Sequence, residues 1–238
     1  MGELVLYQPE KGYCYTSDTF FLYDFISDFI PKGRILEVGG GCGILGLLIK
    51  RDYPETEVTI VEREGIMVQF IRKNSYQNRL YIKVVEGDFL KVPLPGRFDF
   101  IISNPPYHPT GVKSSNPLRD VALSQTYLPL DRFLNRANRL LTERGELIFC
   151  YGVGELDKIF QLMPKQLKIT DLRIFYPRLN KKGSLALIRA KRLSKARLKI
   201  HPPLIGFVGE EYSSEVAQIY RRANTRSIKI GIEELEKG

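Results

Sequence analysis

Arg34-Ile35-Leu36-Glu37-Val38-Gly39-Gly40-Gly41-Cys42-Gly43 is the stretch of sequence that decides the fold. Its first half predicts a short strand, and the mostly apolar residues that follow, 44–52, predict a helix. The glycines between them let the backbone turn without steric cost and approach a ligand closely. The amino terminus of a helix also favours electron-rich groups. The stretch therefore predicts a strand, a glycine loop and a helix that form one side of a ligand site.

The rest of the chain alternates between patterns typical of strands and of helices. Such alternation is typical of an α/β protein with a mostly parallel sheet and helices on both faces. The last two strands are joined by residues 177–183, which leave no room for a crossover helix. We therefore predict a doubly wound, Rossmann-like sheet of seven strands whose final strand is antiparallel. Besides the elements above, strands are predicted over residues 57–62, 81–86, 98–103, 146–151, 167–176 and 184–191, and helices over residues 17–30, 64–78, 129–141, 154–163 and 213–223.

These patterns divide the 238 residues into three parts. Residues 1–30 hold an irregular or hairpin lead-in followed by the first helix. Residues 31–193 hold the α/β domain. Residues 194–238 form a basic C-terminal appendage that ends in a polar tail, which we expect to be frayed.

The net charge of +9 is concentrated in one segment. Residues 165–201 hold twelve Lys or Arg and one acid, Asp171, so this segment carries +11 and the rest of the chain about −2. A one-sided basic surface indicates a polyanionic partner such as a nucleic acid. A solvated basic surface without a partner is the plainer alternative.

Other classes of protein are disfavoured by composition. No apolar stretch approaches the length of a membrane span, and the start, Met1-Gly2-Glu3-Leu4, lacks the features of a signal peptide. Cysteines stand far apart, at 14, 42 and 150, and only His108 and His201 are present, so neither disulfides nor a zinc site is expected. We expect a cytoplasmic protein without a metal or a membrane contact.

Acidic residues end the strands next to the glycine loop. Glu62 ends the second predicted strand, where a carboxylate can accept both hydroxyl groups of a ribose. Asp88 follows the third predicted strand and could accept from the amino group of adenine. Together with the loop, these two residues predict an adenosine pocket.

The glycine loop fits two cofactors. Gly41-Cys42-Gly43-Ile44-Leu45-Gly46 satisfies the dinucleotide pattern G-x-G-x-x-G, and Glu62 lies at a plausible distance for NAD. Glu37-Val38-Gly39-Gly40-Gly41-Cys42-Gly43 satisfies E-x-G-x-G-x-G, the form seen with S-adenosylmethionine, where the acidic residue helps to hold the cationic methionine part. This second pattern counts against a dehydrogenase. A tight turn that binds nothing is the remaining alternative.

Asn104-Pro105-Pro106-Tyr107 follows a predicted buried strand, at the edge where open α/β sheets bind ligands. The prolines hold the carbonyl groups of Asn104 and Pro105 in place. These two acceptors can bind both hydrogens of an adenine amino group and aim the nitrogen lone pair at a methyl donor. Tyr107 would stack on the base. A plain turn is the alternative, since Asn-Pro pairs often mark turns.

These motifs resemble those of the class I S-adenosylmethionine-dependent amino-methyltransferases. The resemblance is carried by Glu37 to Gly43, Glu62, Asp88 and Asn104 to Tyr107, and it covers roughly residues 30–192. The chain is more closely similar to the bacterial tRNA adenine-N6 methyltransferases that modify the adenosine beside the anticodon of a valine tRNA. Three further regions carry that similarity: Tyr15 to Thr19, Pro117 to Ala122, and Pro202 to Ile205 together with Tyr212 to Val216.

The resemblance implies S-adenosyl-L-methionine as the methyl donor and an adenine of RNA, in particular tRNA, as the acceptor. The residues that it assigns to the donor are Glu37, Gly39, Gly41, Gly43, Glu62, Asp88 and Phe89. The residues that it assigns to the target base and the transfer are Asn104, Pro105, Pro106 and Tyr107.

Polar residues outside the core motifs are assigned to the substrate. Ser17 and Asp18 would close over the donor or the target base, with a helix cap as the simpler role. Lys113 and Arg119 would grip phosphates, or be solvated loop charges. A last group is expected to form an RNA contact surface: Lys181 and Lys182 on the final hairpin turn, with Lys191 and Arg192 at its far end.

Three alternatives share parts of this pattern. A release-factor type glutamine-N5 methyltransferase would use the same Asn-Pro-Pro-Tyr chemistry, but such enzymes carry a helical domain where this chain has about 30 residues. A DNA adenine methyltransferase is a further variant. A non-catalytic RNA-binding protein on a methyltransferase fold would not need the intact motifs. The sequence does not indicate an oligomeric state.

Overall fold

A mostly parallel sheet forms the centre of the protein in the computed structural model, which describes residues 2–10, 14–105 and 128–235. Within these residues the sheet has ten strands, and two further strands, one near each end of the chain, pair with each other. The strands are β1 (Leu4–Pro9), β2 (Arg34–Val38), β3 (Glu57–Glu62), β4 (Lys83–Glu86), β5 (Phe98–Ser103), β6 (Leu141–Gly152), β7 (Leu167–Arg178), β8 (Leu185–Arg192), β9 (Lys199–Ile200), β10 (Leu204–Val208), β11 (Glu211–Tyr212) and β12 (Thr225–Ile230).

The strand order confirms a doubly wound fold. The sheet runs β11-β10-β7-β8-β6-β5-β2-β3-β4, and β9 pairs with β7. Strands β4, β3, β2, β5 and β6 are parallel to one another. β8 runs antiparallel to both of its neighbours, β6 and β7, as the short connection predicted over residues 177–183 indicates. The strand order reverses between β2 and β5, which is where open α/β sheets bind ligands.

The predicted count of seven strands is too low. β10 pairs in parallel with β7, β11 pairs with β10, and β9 adds a short parallel pairing to β7. These three strands have two to five residues each, and Pro202-Pro203 separates two of them. Segments this short do not show the alternation of apolar and polar residues that reveals a strand. The central sheet therefore continues into the predicted appendage.

Helices cover both faces of the sheet, because alternate residues of each buried strand carry apolar side chains to opposite sides. On one face Ile35, Ile60 and Ile102 pack against three helices, α1, α2 and the C-terminal α6. On the other face Leu36 and Ile101 pack against α4 and α5. The helices are α1 (Ser17–Ser27), α2 (Ile44–Asp52), α3 (Gly65–Gln77), α4 (Leu130–Leu140), α5 (Leu156–Leu162) and α6 (Ser214–Ala223). No helix of the described residues is long and apolar enough to cross a membrane.

The two ends of the chain pair with each other. β1 and β12 form a parallel ladder in which Leu4 lies opposite Thr225. The predictions of a hairpin lead-in and a frayed tail are therefore wrong for these residues. A strand whose partner lies at the other end of the chain gives no turn signal that sequence reasoning could use.

Asn74 of α3 connects this terminal ladder to the glycine loop. Its Oδ1 accepts from the backbone N–H of Tyr7 at 2.7 Å, and its Nδ2 donates to the carbonyl of Tyr7 and to that of Cys42, both at 2.9 Å. Asn74 is fully buried. The N-terminal strand and the glycine loop are therefore held by one side chain.

Candidate active site

The carboxyl ends of β2, β3, β4 and β5 bring the predicted site residues to one edge of the sheet. Ser103 lies opposite Val38 in the ladder between β5 and β2, and its Oγ donates to the Val38 carbonyl at 2.8 Å. Glu62 lies opposite Glu86 in the ladder between β3 and β4. The glycine loop, Glu62, Asp88 and Asn104 therefore follow strands that are neighbours in the sheet and end at the same edge.

The glycine loop requires glycine for two different reasons. Gly39 has a φ of +71°, which disfavours other residues, and a Cβ there would meet no atom within 4 Å. At Gly46, in the first turn of α2, a Cβ would lie 2.6 Å from Glu37 Oε2. The backbone at Gly39 is thus open to a ligand, and the absence of a side chain at Gly46 makes room for the Glu37 carboxyl group.

Glu37 is a buried acid at the end of β2. It is 3% exposed, and its Oε2 accepts from the backbone N–H of Gly46 at 2.9 Å. Burial raises the pKa of Glu37 to about 8, and the nearby charge of Glu62 acts in the same direction, while the bond from Gly46 opposes it. A carboxylate that is costly to ionise in this position is stabilised by a cation beside it.

Glu62 is held in one orientation by the backbone around it. Its Oε2 accepts from Gly41 N–H at 2.8 Å, and its Oε1 accepts from the N–H groups of Arg63 and Glu64 at 2.7 and 2.9 Å. Burial raises the pKa of Glu62 despite these three bonds. The bond from Gly41 fixes the glycine loop against the end of β3.

Asp88 and Phe89 follow β4. Asp88 Oδ1 accepts from the backbone N–H of Leu90 at 2.8 Å, which closes a tight turn. The ring of Phe89 is 5% exposed and packs against Phe133, with the guanidinium group of Arg136 5.4 Å from its centre. The Phe89 side chain thus belongs to the core under α4.

Asn104 is held by two side chains from distant parts of the sequence. Its Nδ2 donates to Thr19 Oγ1 at 3.1 Å, and its Oδ1 accepts from the thiol of Cys150 at 3.1 Å. Thr19 lies in α1, and Cys150 lies in β6, which neighbours β5. Pro105, the next residue, is buried. The remaining members of this group, Pro106 and Tyr107, and the predicted phosphate contacts Lys113 and Arg119 lie outside the described residues.

A comparison with protein families decides the class of this site. Residues 17–154, more than half of the chain, match the model of the methyltransferase small domain. The chain belongs to the methyltransferase small domain family. The match begins at the start of α1 and ends just after β6, so it includes the glycine loop, Asn104 and both side chains that hold it.

Relatives within the family act on RNA according to their names. Over 144 residues the methyltransferase is 30% identical to the tRNA1(Val) (adenine(37)-N6)-methyltransferase of Vibrio vulnificus, covering 59% of each protein. Over 120 residues it is 33% identical to the ribosomal RNA small subunit methyltransferase C of Pseudomonas entomophila, covering 50% of this chain. The chain spans only 32% of the length of that relative and 59% of the Vibrio protein.

The fold is shared with solved methyltransferases. A predicted O-methyltransferase from Agrobacterium tumefaciens superposes with a TM-score of 0.69 at 20% identity, covering 90% of this chain and 100% of that one. The cofactor is S-adenosyl-L-methionine, as expected for a member of this methyltransferase family. The site fits it, since the buried Glu37 carboxyl group suits its cationic amino group and the open backbone at Gly39 leaves room for it.

Sequence reasoning missed Thr19 and Cys150 in the methyltransferase. Thr19 stands next to the predicted pair Ser17 and Asp18, and all three lie in the first turn of α1. The helix begins after Thr16, so the interpretation of Ser17 and Asp18 as a cap is wrong. Thr19 could have been found from the sequence, because it lies in the segment Tyr15 to Thr19 that carries the family resemblance. No local pattern indicates a role for Cys150.

The predicted basic surface of the methyltransferase is divided between two edges of the sheet. Lys181 and Lys182 are exposed on the turn between β7 and β8. Since Leu185 lies opposite Gly152, this turn is at the carboxyl end of β6, the same edge of the sheet as the candidate site. Lys191 and Arg192 lie at the other end of β8. There, Lys191 pairs with Glu146 at 2.9 Å, and Arg192 donates to Asn138 Oδ1 at 3.3 Å.

The part of the methyltransferase that the structure describes offers no group of three or more His, Cys, Asp or Glu side chains that could hold a metal ion.

Proposed function

We propose that this protein transfers a methyl group from S-adenosyl-L-methionine to the N6 amino group of an adenine in RNA, with tRNA as the substrate. The observation that carries the proposal is the position of Asn104. Its carbonyl oxygen is held by Cys150 and lies where the strand order reverses between β2 and β5, beside the glycine loop. The name of the Vibrio relative supports tRNA and adenine as the target.

In this mechanism the donor is held by the loop and the acidic strand ends. Glu37 holds the cationic amino group, Glu62 the ribose hydroxyl groups and Asp88 the adenine, while Phe89 supports the turn that carries Asp88. Gly39, Gly41 and Gly43 allow the backbone to contact the donor closely. When bound, the donor supplies an electrophilic methyl group on a sulfonium centre.

The acceptor is held by the residues after β5. Asn104 Oδ1 and the Pro105 carbonyl accept the two hydrogens of the target amino group, which turns its lone pair toward the methyl group. We assign Pro106 to the same target site, and Tyr107 to stacking on the base, a contact worth roughly 1–3 kcal/mol. The target nitrogen would form its bond to the methyl carbon as the carbon–sulfur bond breaks, so the positive charge would pass to the nitrogen, which would then lose one proton to water. A neutral Asn therefore suffices as an acceptor, and positioning supplies much of the rate.

The substrate RNA contacts charged residues around the same edge. We assign Ser17 and Asp18 to closure over the donor or the target base, and Lys113, Arg119, Lys181 and Lys182 to phosphates. Residues 31–193 then form the methyltransferase domain, with residues 1–30 and 194–238 as additions to it. The cytoplasm is the expected compartment.

A ribosomal RNA target is a second candidate, since the Pseudomonas relative is named for small-subunit ribosomal RNA. It would use the same donor site and the same two acceptor carbonyl groups, with a different RNA recognised.

The test is a substrate panel. Protein and isotopically labelled donor are incubated separately with total tRNA, ribosomal RNA, DNA and release factor, and the product is located by mass spectrometry. Label in N6-methyladenosine of tRNA is the expected result. Label in ribosomal RNA alone would favour the second candidate, and label in release factor alone would show a glutamine methyltransferase and reject the RNA proposal.

A further inference from the structure

The side-chain amide of Asn104 has two different ends, and only the carbonyl oxygen can accept a hydrogen bond from an amine. The amide oxygen Oδ1 accepts from Cys150, and the amide nitrogen Nδ2 donates to Thr19. If the amide rotated by half a turn, the NH2 group would face the thiol, whose sulfur is a weak acceptor. The thiol therefore favours one of the two orientations, and the Thr19 hydroxyl, which can donate as well as accept, holds the other end of the amide in place.

Both partners belong to packed elements of the core. Thr19 is 4% exposed and Cys150 is fully buried. Cys150 lies opposite Leu187 in the ladder between β6 and β8, and Thr19 lies on α1, which packs against the same strands. Neither side chain can turn away from Asn104 without disturbing this packing.

We propose that Thr19 and Cys150 are positioning residues, which hold Asn104 with its carbonyl oxygen directed at the target amino group. The inference rests on the proposed function, in which Asn104 is the acceptor. A carbonyl oxygen has two lone pairs, so the thiol occupies one and leaves the other for the substrate. Thr19 fixes the opposite end of the amide, which prevents it from rotating when the substrate arrives.

The thiol of Cys150 keeps its proton under ordinary conditions. Burial raises the pKa of Cys150 well above its usual value, and the negative charge of Asp18 acts in the same direction. The sulfur can therefore donate to Asn104 over the whole range in which the protein would be assayed.

The orientation is tested first without any substrate. In ¹⁵N-labelled protein the side-chain amide signals of Asn104 are identified by their loss in Asn104→Ala, and their hydrogen exchange with water is measured. Thr19→Val keeps the shape of the side chain but removes the acceptor, so exchange should become roughly five- to tenfold faster. Thr19→Ser should exchange like the wild type. Equal exchange in Thr19→Val and wild type would overturn the proposal.

The consequence for catalysis is tested with the RNA substrate. Thr19→Val and Cys150→Ala should each lower kcat roughly three- to tenfold, with little change in KM for the donor. Cys150→Ser, which keeps a donor, should retain most of the activity. In an Asn104→Ala background neither substitution should lower the residual single-turnover rate further. An equal loss in both backgrounds would show a merely structural role.

A matched control removes another buried threonine hydroxyl. Thr56 is 2% exposed, and its Oγ1 donates to the Tyr53 carbonyl at 2.7 Å, before β3 and away from the active edge. Thr56→Val should leave kcat and the Asn104 exchange unchanged. If the wild type methylates nothing in the substrate panel, the proposed function fails, whereas the exchange measurement still decides the orientation of Asn104.

Discussion

The donor half and the acceptor half of the proposed active site are held together in different ways. In the donor half, backbone N–H groups donate to carboxylates that are close in sequence. Gly46 donates to Glu37, nine positions away, and Gly41 donates to Glu62, 21 positions away. In the acceptor half, Asn104 is bound by side chains 85 and 46 positions away. The donor half is therefore encoded by one strand–loop–helix unit and its neighbour. The acceptor half exists only after α1 and β6 have packed around β5.

The largest effect expected is the loss of transfer in Asn104→Ala. Removing the oriented acceptor should lower kcat by roughly 10²–10³-fold, as for other fixed polar groups that act in the transition state. Affinity for the donor should change by less than about twofold, because Asn104 belongs to the other half of the site. Single-turnover kinetics and calorimetry measure the two quantities. Full activity in this variant would refute the role of Asn104, and loss of donor affinity would show that the halves are not separate.

The complementary change, Glu37→Gln, should affect the donor half alone. Glutamine keeps an acceptor for Gly46 but lacks the charge that binds the donor's ammonium group. Donor Kd should rise roughly ten- to a hundredfold, the range for a hydrogen bond between charged groups. At saturating donor, kcat should stay close to that of the wild type. A large fall in kcat at saturation would contradict the division between the two halves.

A smaller effect is expected at the rim beside the acceptor half. The double variant Lys181→Ala/Lys182→Ala should weaken RNA binding roughly three- to tenfold. The slope of log Kd against the logarithm of salt concentration should fall by about one to two, as expected for the loss of one or two phosphate contacts. Its matched control is Lys165→Ala/Lys168→Ala, which removes the same charge from exposed residues at the opposite edge. Equal weakening in both pairs, measured by fluorescence anisotropy, would show that only net charge matters.

The smallest effect concerns the stability of the donor-free protein. Because the folded-state pKa of Glu37, about 8, lies above its unfolded value, its contribution to stability is present at low pH and is lost as pH rises toward 8. Glu37→Gln does not titrate, so its stability relative to the wild type should increase between about pH 4.5 and pH 8. The gain should be at least about 1 kcal/mol, the equivalent of one pKa unit, and is measurable by denaturant unfolding. If the difference in unfolding free energy between Glu37→Gln and the wild type stays constant with pH, burial does not raise the pKa of Glu37.

Much of the fold could be predicted from the sequence where structure depends on neighbours along the chain. β2, α2, β3 and β5 have the predicted bounds, because each combines an apolar run with a clear turn or glycine boundary. The antiparallel position of β8 followed from the length of one connection. β9 to β12 were missed because each is short or polar, and β9, β10 and β12 also pair with strands that are not their neighbours along the chain.

The same distinction applies to the site. The positions of Glu37, Glu62 and Asp88 at one edge of the sheet could be predicted because each stands at or near the end of a recognisable strand. The contact of Thr19 and Cys150 with Asn104 depends on how α1 and β6 are placed relative to β5, which no local pattern specifies. Likewise, the division of the basic residues between two edges follows from the antiparallel direction of β8, and a count of charge along the chain does not show it.

The pairing of β1 with β12 has a consequence for the order in which the protein matures during translation. β1 is synthesised more than two hundred residues before its partner, residues 225–230. Closing so long a loop is entropically costly. Since Tyr7 shares Asn74 with the Cys42 carbonyl, we expect the glycine loop to reach its final rigidity only once β12 is in place. Pulsed hydrogen exchange during refolding would show this as late protection of β1 relative to β2.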